Sequence, residues 1–547
     1  MKKIVNLSLI LAVAVVASSC NCFKKMAKKV DDVTITCNPE VLTLKGSNVV
    51  TDVTVTFPEK YYHKKAVAKV TPVLEFEGGS IEGTPQYFQG SKVKDNYTVI
   101  DKKTGGSYTM SVSIPYDPRA EVSTLVMVVE GRCEGKDAEM TEVARIPVAE
   151  GVNTLQNSMD YSSALEMLSD KYEKTTTISE KADIMYTINQ SNVRKNQLTT
   201  EQIKALESFI TENVDKDRVT LGNVYANGYA SPDGPLDLND KLSKARSESG
   251  KKALSKELKK VEGVNYDAAA YGEDWDGFKE LVEASNIEDK AMILQILQMT
   301  SNPVERDAQI KNMSAVFEQL AKEVLPQLRR TQLVATAEVQ NLTDAEIVAA
   351  IEKGDLASLS LEQLLYGATL IEDNATKAKV YEAATKYNDA RAYNNLGVVY
   401  AEMGNWAEAG KAFAKAAETS ADAAINNNLA VGAIAEGKVA EAKQYIAGAS
   451  AEAKALAAVA EGNYAEATGK LSGYNAAVNY VLEGNLSAAK SALAGDNSAN
   501  AEYLRAVIAA QEGNKSEASA YAKSAIEKNP ALKAKAEKDV NLKGIEF

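Results

Sequence analysis

A turn sequence that recurs along the C-terminal third of the chain limits the fold more strongly than any other feature. Its glycines are Gly404, Gly437, Gly462, Gly484 and Gly513, each close behind a glutamate and just before an alanine-rich stretch. Glycine ends a helix readily because it takes a positive φ without strain. Each unit therefore predicts a helix, a glycine turn and a second helix. A stack of such units over residues 342–547 predicts an α-helical solenoid.

The repeat units resemble tetratricopeptide repeats. The first full unit matches that family's spacing at Tyr393, Leu396, Gly397, Tyr400, Ala409, Phe413 and Ala416. The last unit matches at Ala506, Ala518, Ala525 and Pro530. Successive turn glycines lie 33, 25, 22 and 29 residues apart, whereas the family repeats about every 34 residues. We therefore expect one or two shortened helices in the middle of the array.

This resemblance implies a groove that holds peptides or a protein partner and that contains no active site. The candidate groove residues lie on first helices and are Asn394, Asn395, Asn426 and Asn427. Tyr393 and Trp406 are predicted to pack between helices. A purely structural spacer is the alternative interpretation of this region.

The N-terminus has the pattern of an export signal. Two lysines precede a short apolar run, Ile4 to Val16, and three small residues follow it. The run is too short to span a bilayer as a helix. Residues 1–19 resemble a lipoprotein signal peptide, and the resemblance implies that Cys20 becomes the lipidated N-terminus. Ordinary secretory cleavage near Cys20 is the alternative.

Lipidation would anchor the mature chain to the outer membrane. Lys24 and Lys25 follow Cys20, where surface-exported lipoproteins of the Bacteroidota resemble one another in carrying acidic residues. We therefore expect the anchored protein to face the periplasm rather than the cell surface. Residues 20–30 are predicted to be a linker.

Residues 31–150 alternate between apolar and polar residues with a period of two. Val53, Val55 and Phe57 illustrate the pattern, and paired glycines at 78–79 and 105–106 supply turns. These features predict an all-β sandwich of the immunoglobulin type. A linker or helix is expected at 151–180.

Two cysteines, Cys37 and Cys133, lie in this predicted β region, and an exported chain meets an oxidising compartment. A disulfide between them would close a loop of nearly 100 residues, which contributes about 4–5 kcal/mol in the chain-entropy model. Two buried free thiols are the competing interpretation, and the sequence leaves both open.

A strand–turn–helix motif lies near the centre of the chain. It resembles the OmpA C-terminal-like domain, because Gly228, Tyr229, Gly234, Asn239, Leu242, Ser243 and Arg246 fall on that family's pattern. The resemblance covers residues 181–340. It implies an α+β domain that binds peptidoglycan.

In that family an aspartate of the pattern contacts the amine of diaminopimelate, and an arginine binds its carboxylate in a bidentate pair. Arg246 falls on the arginine position, whereas Ser231 occupies the aspartate position. A serine hydroxyl supplies no countercharge, and Asp233, in the same turn, is the candidate replacement. Asn239 completes the candidate peptidoglycan-binding set. The alternative is a domain that keeps the fold and has lost cell-wall binding.

A helical insertion is predicted at about 271–325, ahead of a closing strand that runs to Val339. Helices are expected from about Lys279 to Leu297 and from about Pro303 to Leu325. The segment at the start of the insertion, 272–277, resembles the Bacteroidota branch of the family. We interpret its carboxylates, Glu273, Asp274 and Asp276, as a solvated turn rather than as acid–base groups.

Charge and histidine content exclude several function classes. The net charge is −13, and no basic, aromatic-studded stripe occurs, so we expect no nucleic-acid partner. His63 is the chain's one histidine, which leaves little for a Ser-His-Asp triad or a histidine metal site. We therefore expect no enzyme, no metal and no cofactor, and we interpret His63 as a loop or strand-end residue.

The sequence thus predicts a multidomain, periplasm-facing lipoprotein with a β-sandwich, a central α+β domain and a helical solenoid. In the leading hypothesis it tethers the outer membrane to peptidoglycan and binds a protein partner through the repeats. In the alternative it is an adaptor subunit of an outer-membrane assembly or secretion complex, and its OmpA-like domain no longer binds peptidoglycan. A carboxylate-based glycan hydrolase would need paired acids in a cleft, and the sequence does not point to such a pair.

Overall fold

The computed structural model describes residues 21–27, 29, 32–133, 139–287 and 289–547. The predicted signal peptide and Cys20 lie outside these residues. The chain divides into two compact units: residues up to Asp170 together with Ile371–Phe547, and the intervening Lys171–Leu370. Within the described residues, no helix combines the length and the apolar character needed to cross a membrane.

The first unit begins with a short helix and ten strands. They are α1 (Asn21–Ala27), β1 (Thr34–Lys45), β2 (Asn48–Phe57), β3 (Ala66–Phe76), β4 (Gly79–Glu82), β5 (Gln86–Gly90), β6 (Thr98–Ile100), β7 (Gly106–Pro115), β8 (Ser123–Cys133), β9 (Thr141–Glu150) and β10 (Val152–Asn153). One sheet has the order β10-β1-β2-β7, and the other has the order β6-β5-β3-β8-β9 with β4 added to β3. Leu44 and Ile114 from the first sheet pack against Leu74 and Leu125 from the second. The alternating sequence therefore buries one face of each sheet in a shared core.

The expected disulfide between Cys37 and Cys133 is wrong, and so is the alternative of two free thiols. Cys133 is bonded to Cys22 of α1, with their Cα atoms 6.2 Å apart, and Cys37 is free. Cys37 lies on β1 in the other sheet, where its Sγ donates to the Val148 carbonyl at 3.4 Å. Helix α1 packs beside β8 because Gly131 leaves room for Phe23: a Cβ there would lie 2.4 Å from the ring.

The second unit has an α+β core followed by two helices. Its elements are β11 (Thr175–Met185), α2 (Glu201–Asn213), β12 (Val219–Leu221), β13 (Val224–Ala230), α3 (Leu236–Glu257), β14 (Tyr266–Glu273), α4 (Trp275–Ala284), α5 (Lys290–Met299), α6 (Pro303–Lys311), α7 (Ser314–Glu323), β15 (Arg330–Gln340), α8 (Asp344–Glu352) and α9 (Leu361–Thr369). The sheet has the order β11-β15-β13-β14, and β12 pairs with β15. Only β13 and β14 run parallel among these pairs in the described residues. The closing strand β15 thus lies inside the sheet.

Two apolar clusters organise this unit. Ile203 and Leu206 of α2 and Leu254 of α3 pack on Ile184 and Leu333 of the sheet. The insertion helices α4 to α7 form a separate cluster. Each of the two long helices expected in the insertion is divided, because α4 ends at Ala284 and α6 at Lys311. Residues 342–370, which we assigned to the repeats, belong to the second unit.

The helical half of the first unit contains α10 (Asn374–Ala384), α11 (Ala390–Glu402), α12 (Trp406–Thr419), α13 (Ala423–Ala435), α14 (Val439–Ala442), α15 (Ala451–Ala460), α16 (Tyr464–Ala467), α17 (Gly473–Leu482), α18 (Leu486–Ala492), α19 (Ala499–Gln511), α20 (Lys515–Lys528) and α21 (Leu532–Ala536). The five turn glycines all have φ between 76° and 81°. The shortest spacings coincide with α14 and α16, which are four residues long. The array is therefore a set of helical hairpins with two shortened second helices.

Candidate functional site

Residues 155–168, which we call the strap, lie along the first helices of the repeats. The expected linker or helix at 151–180 contains no α-helix in the described residues; the strap has two short 3₁₀ turns, Leu155–Ser158 and Ser162–Ala164. The chain leaves the β-sandwich, follows the helices as the strap, continues through the second unit and returns at α10. The surface expected to hold a partner thus holds a segment of the same chain.

Asparagine side chains fix the backbone of the strap. Asn395 Nδ2 donates to the Leu168 carbonyl at 2.8 Å, and the Leu168 N–H donates back to Asn395 Oδ1 at 2.8 Å. Asn428 makes the same pair of hydrogen bonds with Glu166, at 2.7 and 2.8 Å. Side-chain amides can satisfy a backbone N–H and C=O together, so these contacts recognise main chain rather than sequence.

The same arrangement extends to both sides of these two pairs. Asn475 on α17 exchanges two hydrogen bonds of 2.7 Å with Asp160. Asn427 Nδ2 donates to the Ala164 carbonyl at 2.7 Å, and Asn394 Nδ2 donates to the Glu166 carbonyl at 2.9 Å. All five asparagines are buried. Together they form what we call the asparagine clamp.

The clamp residues occupy equivalent places in the repeats. Asn395, Asn428 and Asn475 each lie nine residues before a turn glycine. Asn394, Asn395 and Asn427 were predicted from the sequence as groove residues, whereas Asn428 and Asn475 were not. Asn426 was also predicted, but the described residues show no contact between it and the strap. Counting back from each turn glycine would have found all three of the paired positions.

Apolar contacts also hold the strap, in addition to the clamp. Leu155, Met159 and Ala164 are buried in the core that the repeats form. Tyr161 meets the Trp406 ring edge-on, with 6.2 Å between centroids, and Leu165 packs on the apolar cluster of α11 and α12 that includes Phe413. Trp406, which we expected to pack between helices, therefore also contacts the strap.

One glutamine joins the sandwich to the repeats at the start of the strap. Gln156 Oε1 accepts the Gly46 N–H at 2.9 Å, and its Nε2 donates to the Gly46 carbonyl at 3.1 Å. The Tyr464 hydroxyl at the start of α16 donates to the Leu44 carbonyl at 3.1 Å. The strap, the β1–β2 turn and the repeats are thus one hydrogen-bonded assembly.

In the second unit, Arg246 lies under the strand–turn–helix motif. It is 1% exposed. Its Nε donates to the Gln190 carbonyl at 3.0 Å and its Nη1 donates to the Tyr229 carbonyl at 2.9 Å. Burial lowers the pKa of the guanidinium to about 10. In the described residues no ion pair joins Arg246 to a carboxylate, and two backbone carbonyls accept hydrogen bonds from its guanidinium instead.

The other candidate peptidoglycan-binding residues are bonded to one another or to the surrounding chain. Ser231 is hydrogen-bonded to Asp233. Arg329 Nε donates to Ser231 Oγ at 3.1 Å, and its Nη2 lies 3.3 Å from Asp233 Oδ2. The cavity beside Pro232 and Asp233 has a volume of about 10 Å³, which is room for one water molecule.

Asn239 and the carboxylates after β14 stabilise local structure. Asn239 Nδ2 donates to Glu273 Oε1 at 2.9 Å, and the indole N–H of Trp275 donates to Glu273 Oε2 at 2.9 Å. Asp274 caps α4 through the Gly277 N–H at 2.9 Å and is buried beside Arg330. Asp276 is exposed in the first turn of α4. Asp274 thus differs from the solvated turn that we expected.

His63 lies in the turn before β3 and is partly exposed. Burial and then the charges of Lys102, Lys25, Lys64 and Lys65 lower its pKa. Its Nδ1 accepts the backbone N–H of Lys65 at 3.3 Å. The imidazole therefore has a local structural contact and a strongly positive surrounding.

Comparison with solved structures finds proteins with tetratricopeptide repeats among the similar chains. No protein-family model and no curated protein matches the chain. YrrB, described as a TPR protein with an unusual peptide-binding site, is 20% identical over 35% of this chain and 99% of its own, with a TM-score of 0.19. A tetratricopeptide repeat protein from Parabacteroides merdae is 14% identical over 49% and 100%, with a TM-score of 0.22. Yeast Tom70 is 16% identical over 62% and 68%, with a TM-score of 0.26. At TM-scores this low the likeness carries no conclusion about function.

Proposed function

We propose that this chain is a non-catalytic scaffold of the bacterial envelope. A lipid on Cys20 anchors it to the outer membrane, it faces the periplasm, and its repeats bind a protein partner within a membrane complex. The observation that carries this proposal is the asparagine clamp. Repeat-spaced amides that bind an extended backbone are a device for holding polypeptide, and they supply no group for acid–base or nucleophilic chemistry.

The strap decides where we place the partner. It fills the clamp, and Leu155, Met159 and Ala164 bury it. A partner peptide would have to displace all of these contacts. We therefore place the partner on the outer faces of the second helices, such as α12, where Lys411 and Lys415 are exposed. The strap, in this view, keeps neighbouring repeats in a fixed register for that surface.

Affinity purification from membranes, followed by mass spectrometry, tests this placement. We expect the partner to be recovered with the native chain and with Asn395→Ala, and to be lost with the paired charge reversal Lys411→Glu and Lys415→Glu. Loss with Asn395→Ala alone, in a chain that still folds, would put the partner in the clamp instead. Failure to recover any partner with the native chain would contradict the scaffold itself.

Peptidoglycan binding is the second candidate, and one observation favours it. Arg246 is a buried cation without a carboxylate partner in the described residues, and burying a charge without a countercharge is costly. An anionic ligand would supply that countercharge. We nevertheless favour the scaffold whose second unit no longer binds the cell wall, because two backbone carbonyls already bind the buried Arg246 and because Arg329 pairs with Asp233.

Sedimentation with purified peptidoglycan sacculi separates the two candidates. We expect the native chain to stay in the supernatant, and Arg246→Ala to behave identically. Co-sedimentation that Arg246→Ala abolishes would establish the tethering function. A third variant, Ser231→Asp, restores the carboxylate of the family's pattern and tests whether the serine alone accounts for the loss.

A further inference from the structure

An exposed lysine surface covers the end of the β-sandwich nearest the N-terminus. Its members, which we call the lysine face, are Lys24, Lys25, Lys60, Lys64, Lys92 and Lys102, and all six are exposed. They come from α1, from the turns that flank β3 and β5, and from the turn before β7. This local cluster of positive charge contrasts with the net charge of the whole chain, which is −13.

Backbone contacts bring these segments together. The Lys60 N–H donates to the Lys102 carbonyl at 2.7 Å, and the Lys92 N–H donates to the Lys64 carbonyl at 2.8 Å. His63 lies among them, and the charges that lower its pKa include those of Lys102, Lys25 and Lys64. Lysines from α1 and from two separate turns therefore all lower the pKa of the same imidazole, so they lie on one surface.

The lysine face is not neutralised by the protein's own acids. In the described part of the chain none of its six lysines forms an ion pair, whereas Lys69 of β3 is paired with Glu130. Glu59 and Asp101 lie in the same turns, and they are outnumbered by the lysines. A cluster of unpaired ammonium groups attracts anions, and it does so more strongly at low salt.

The orientation of α1 places its two lysines on the surface of the sandwich. Phe23 and Met26 are buried against Tyr62 and Phe88, and the bond between Cys22 and Cys133 fixes the helix. Lys24 and Lys25 therefore face outward, and the apolar side of α1 has no free face to insert into lipid. Cys20 is the residue immediately before α1, so acyl chains on it would start beside the lysine face.

We propose that the lysine face is a membrane-docking surface that binds the anionic headgroups of a phospholipid bilayer. The proposal rests on the lipid anchor of the proposed function for its location, because that anchor brings the bilayer to this end of the sandwich. A basic patch beside an acyl anchor is a second membrane signal, and it restrains the protein against the surface instead of leaving it on a flexible tether. Headgroup phosphates are the ligands, and Lys ammonium groups bind them as point charges.

Vesicle flotation tests the surface without the anchor. The probe protein is the mature chain, residues 20–547, with Cys20→Ser, which removes the lipidation site. We expect it to float with vesicles of equal parts phosphatidylglycerol and phosphatidylcholine, and to remain behind with phosphatidylcholine alone. Added salt should release it. At about a fivefold loss of affinity for each lysine near an anionic surface, the variant Lys25→Gln, Lys60→Gln, Lys64→Gln and Lys102→Gln should bind at least about 100-fold more weakly.

A matched control removes the same charge elsewhere. Lys454, Lys470, Lys515 and Lys523 are exposed on or beside the repeat helices, and changing these four to glutamine should leave flotation unchanged. Equal losses in both quadruple variants, or equal binding to neutral vesicles, would overturn the proposal. Binding to a polyanion such as heparin without binding to vesicles would also overturn it. Because the probe lacks Cys20, these outcomes do not depend on lipidation, which mass spectrometry of the native N-terminus tests separately.

Discussion

Asn395 and Leu168 close a ring of two hydrogen bonds, each 2.8 Å long, across 227 residues of sequence. The side-chain amide of one residue satisfies both the N–H and the carbonyl of the other. The same pairing joins Asn428 to Glu166. Because both members of each pair are fixed, the strap is bound as an integral part of the repeat array rather than as a loose connection.

Replacing Asn395 by alanine should destabilise the first unit by about 1–3 kcal/mol. The change leaves the half-buried N–H and carbonyl of Leu168 without their Asn395 partners, and such a loss costs part of the desolvation of each group. Thermal unfolding followed by circular dichroism measures the effect, and hydrogen exchange at Leu168 should accelerate. Asn426→Ala is the control, since Asn426 is on the neighbouring first helix and has no described contact with the strap. Equal destabilisation by the two variants would contradict the clamp.

The helical half illustrates what the sequence can reveal and what it cannot. The turn glycines are local signals, because a positive φ at the end of a helix selects glycine. The groove asparagines are also visible as repeat-spaced polar residues on buried helices. What occupies the groove is not visible, because the clamp binds the backbone of the strap and the strap's apolar side chains look like those of any core segment. Backbone hydrogen bonds leave no residue pattern in the strap's own sequence.

Gly228→Ala should unfold or severely weaken the second unit, with a loss of at least about 3 kcal/mol. A Cβ at this position would lie 2.0 Å from the Ser243 carbonyl oxygen and 2.6 Å from the Ser247 nitrogen, so β13 and α3 would have to separate. An extra methyl group that flexible side chains can accommodate usually costs about 1–3 kcal/mol. At Gly228 the clashing atoms belong to the backbone of α3, which cannot move aside in this way. Gly448→Ala, with no atom within 4 Å of the new Cβ, is the control. Native-like denaturation of Gly228→Ala would show that the helix can shift.

The strand–turn–helix region shows a second limit of sequence analysis. The pattern placed Arg246 on a helix after the turn, and α3 does carry it. Its surroundings also include the Gln190 carbonyl and the charge of Arg329, both of which lie outside the motif. The motif predicts the strand, the turn and the helix that carry Arg246. It does not predict which residues from elsewhere in the chain surround the guanidinium.

Arg330→Gln should destabilise the second unit more at neutral pH than in mild acid. Arg330 contacts Asp274 Oδ2 at 2.9 Å and Asp183 Oδ2 at 3.1 Å. Removing it leaves the buried Asp274 as an uncompensated charge, for which about 3–5 kcal/mol is the usual cost. Chemical denaturation at several pH values measures the difference. Lys204→Gln is the control, because its ion pair with Glu201 is exposed.

The direction of the pH effect follows from Asp274. Burial raises the pKa of this carboxyl even with Arg330 beside it, so the folded state binds the proton more tightly than the unfolded state does. Stability therefore rises as the pH falls from above the folded pKa toward the ordinary pKa of an aspartate. Without Arg330 the pKa should rise further, and the gain on acidification should be larger. A variant that loses the same stability at every pH would contradict this account.

Removing the disulfide by Cys22→Ala and Cys133→Ala should lower stability by about 2–4 kcal/mol and release α1 from the sandwich. The bond spans 111 residues, and cross-links over long loops restrict the unfolded chain. Thermal unfolding should show the loss, and reduction of the native protein should reproduce it. Cys37→Ala, which removes a free cysteine and no disulfide, is the control. In the native protein, burial with a contribution from Glu40 raises the pKa of the Cys37 thiol to about 11. That thiol should therefore alkylate slowly at neutral pH. If the double variant keeps its stability while α1 stays protected from proteolysis, Phe23 and Met26 alone hold the helix, and the lysine face keeps its shape without the bond.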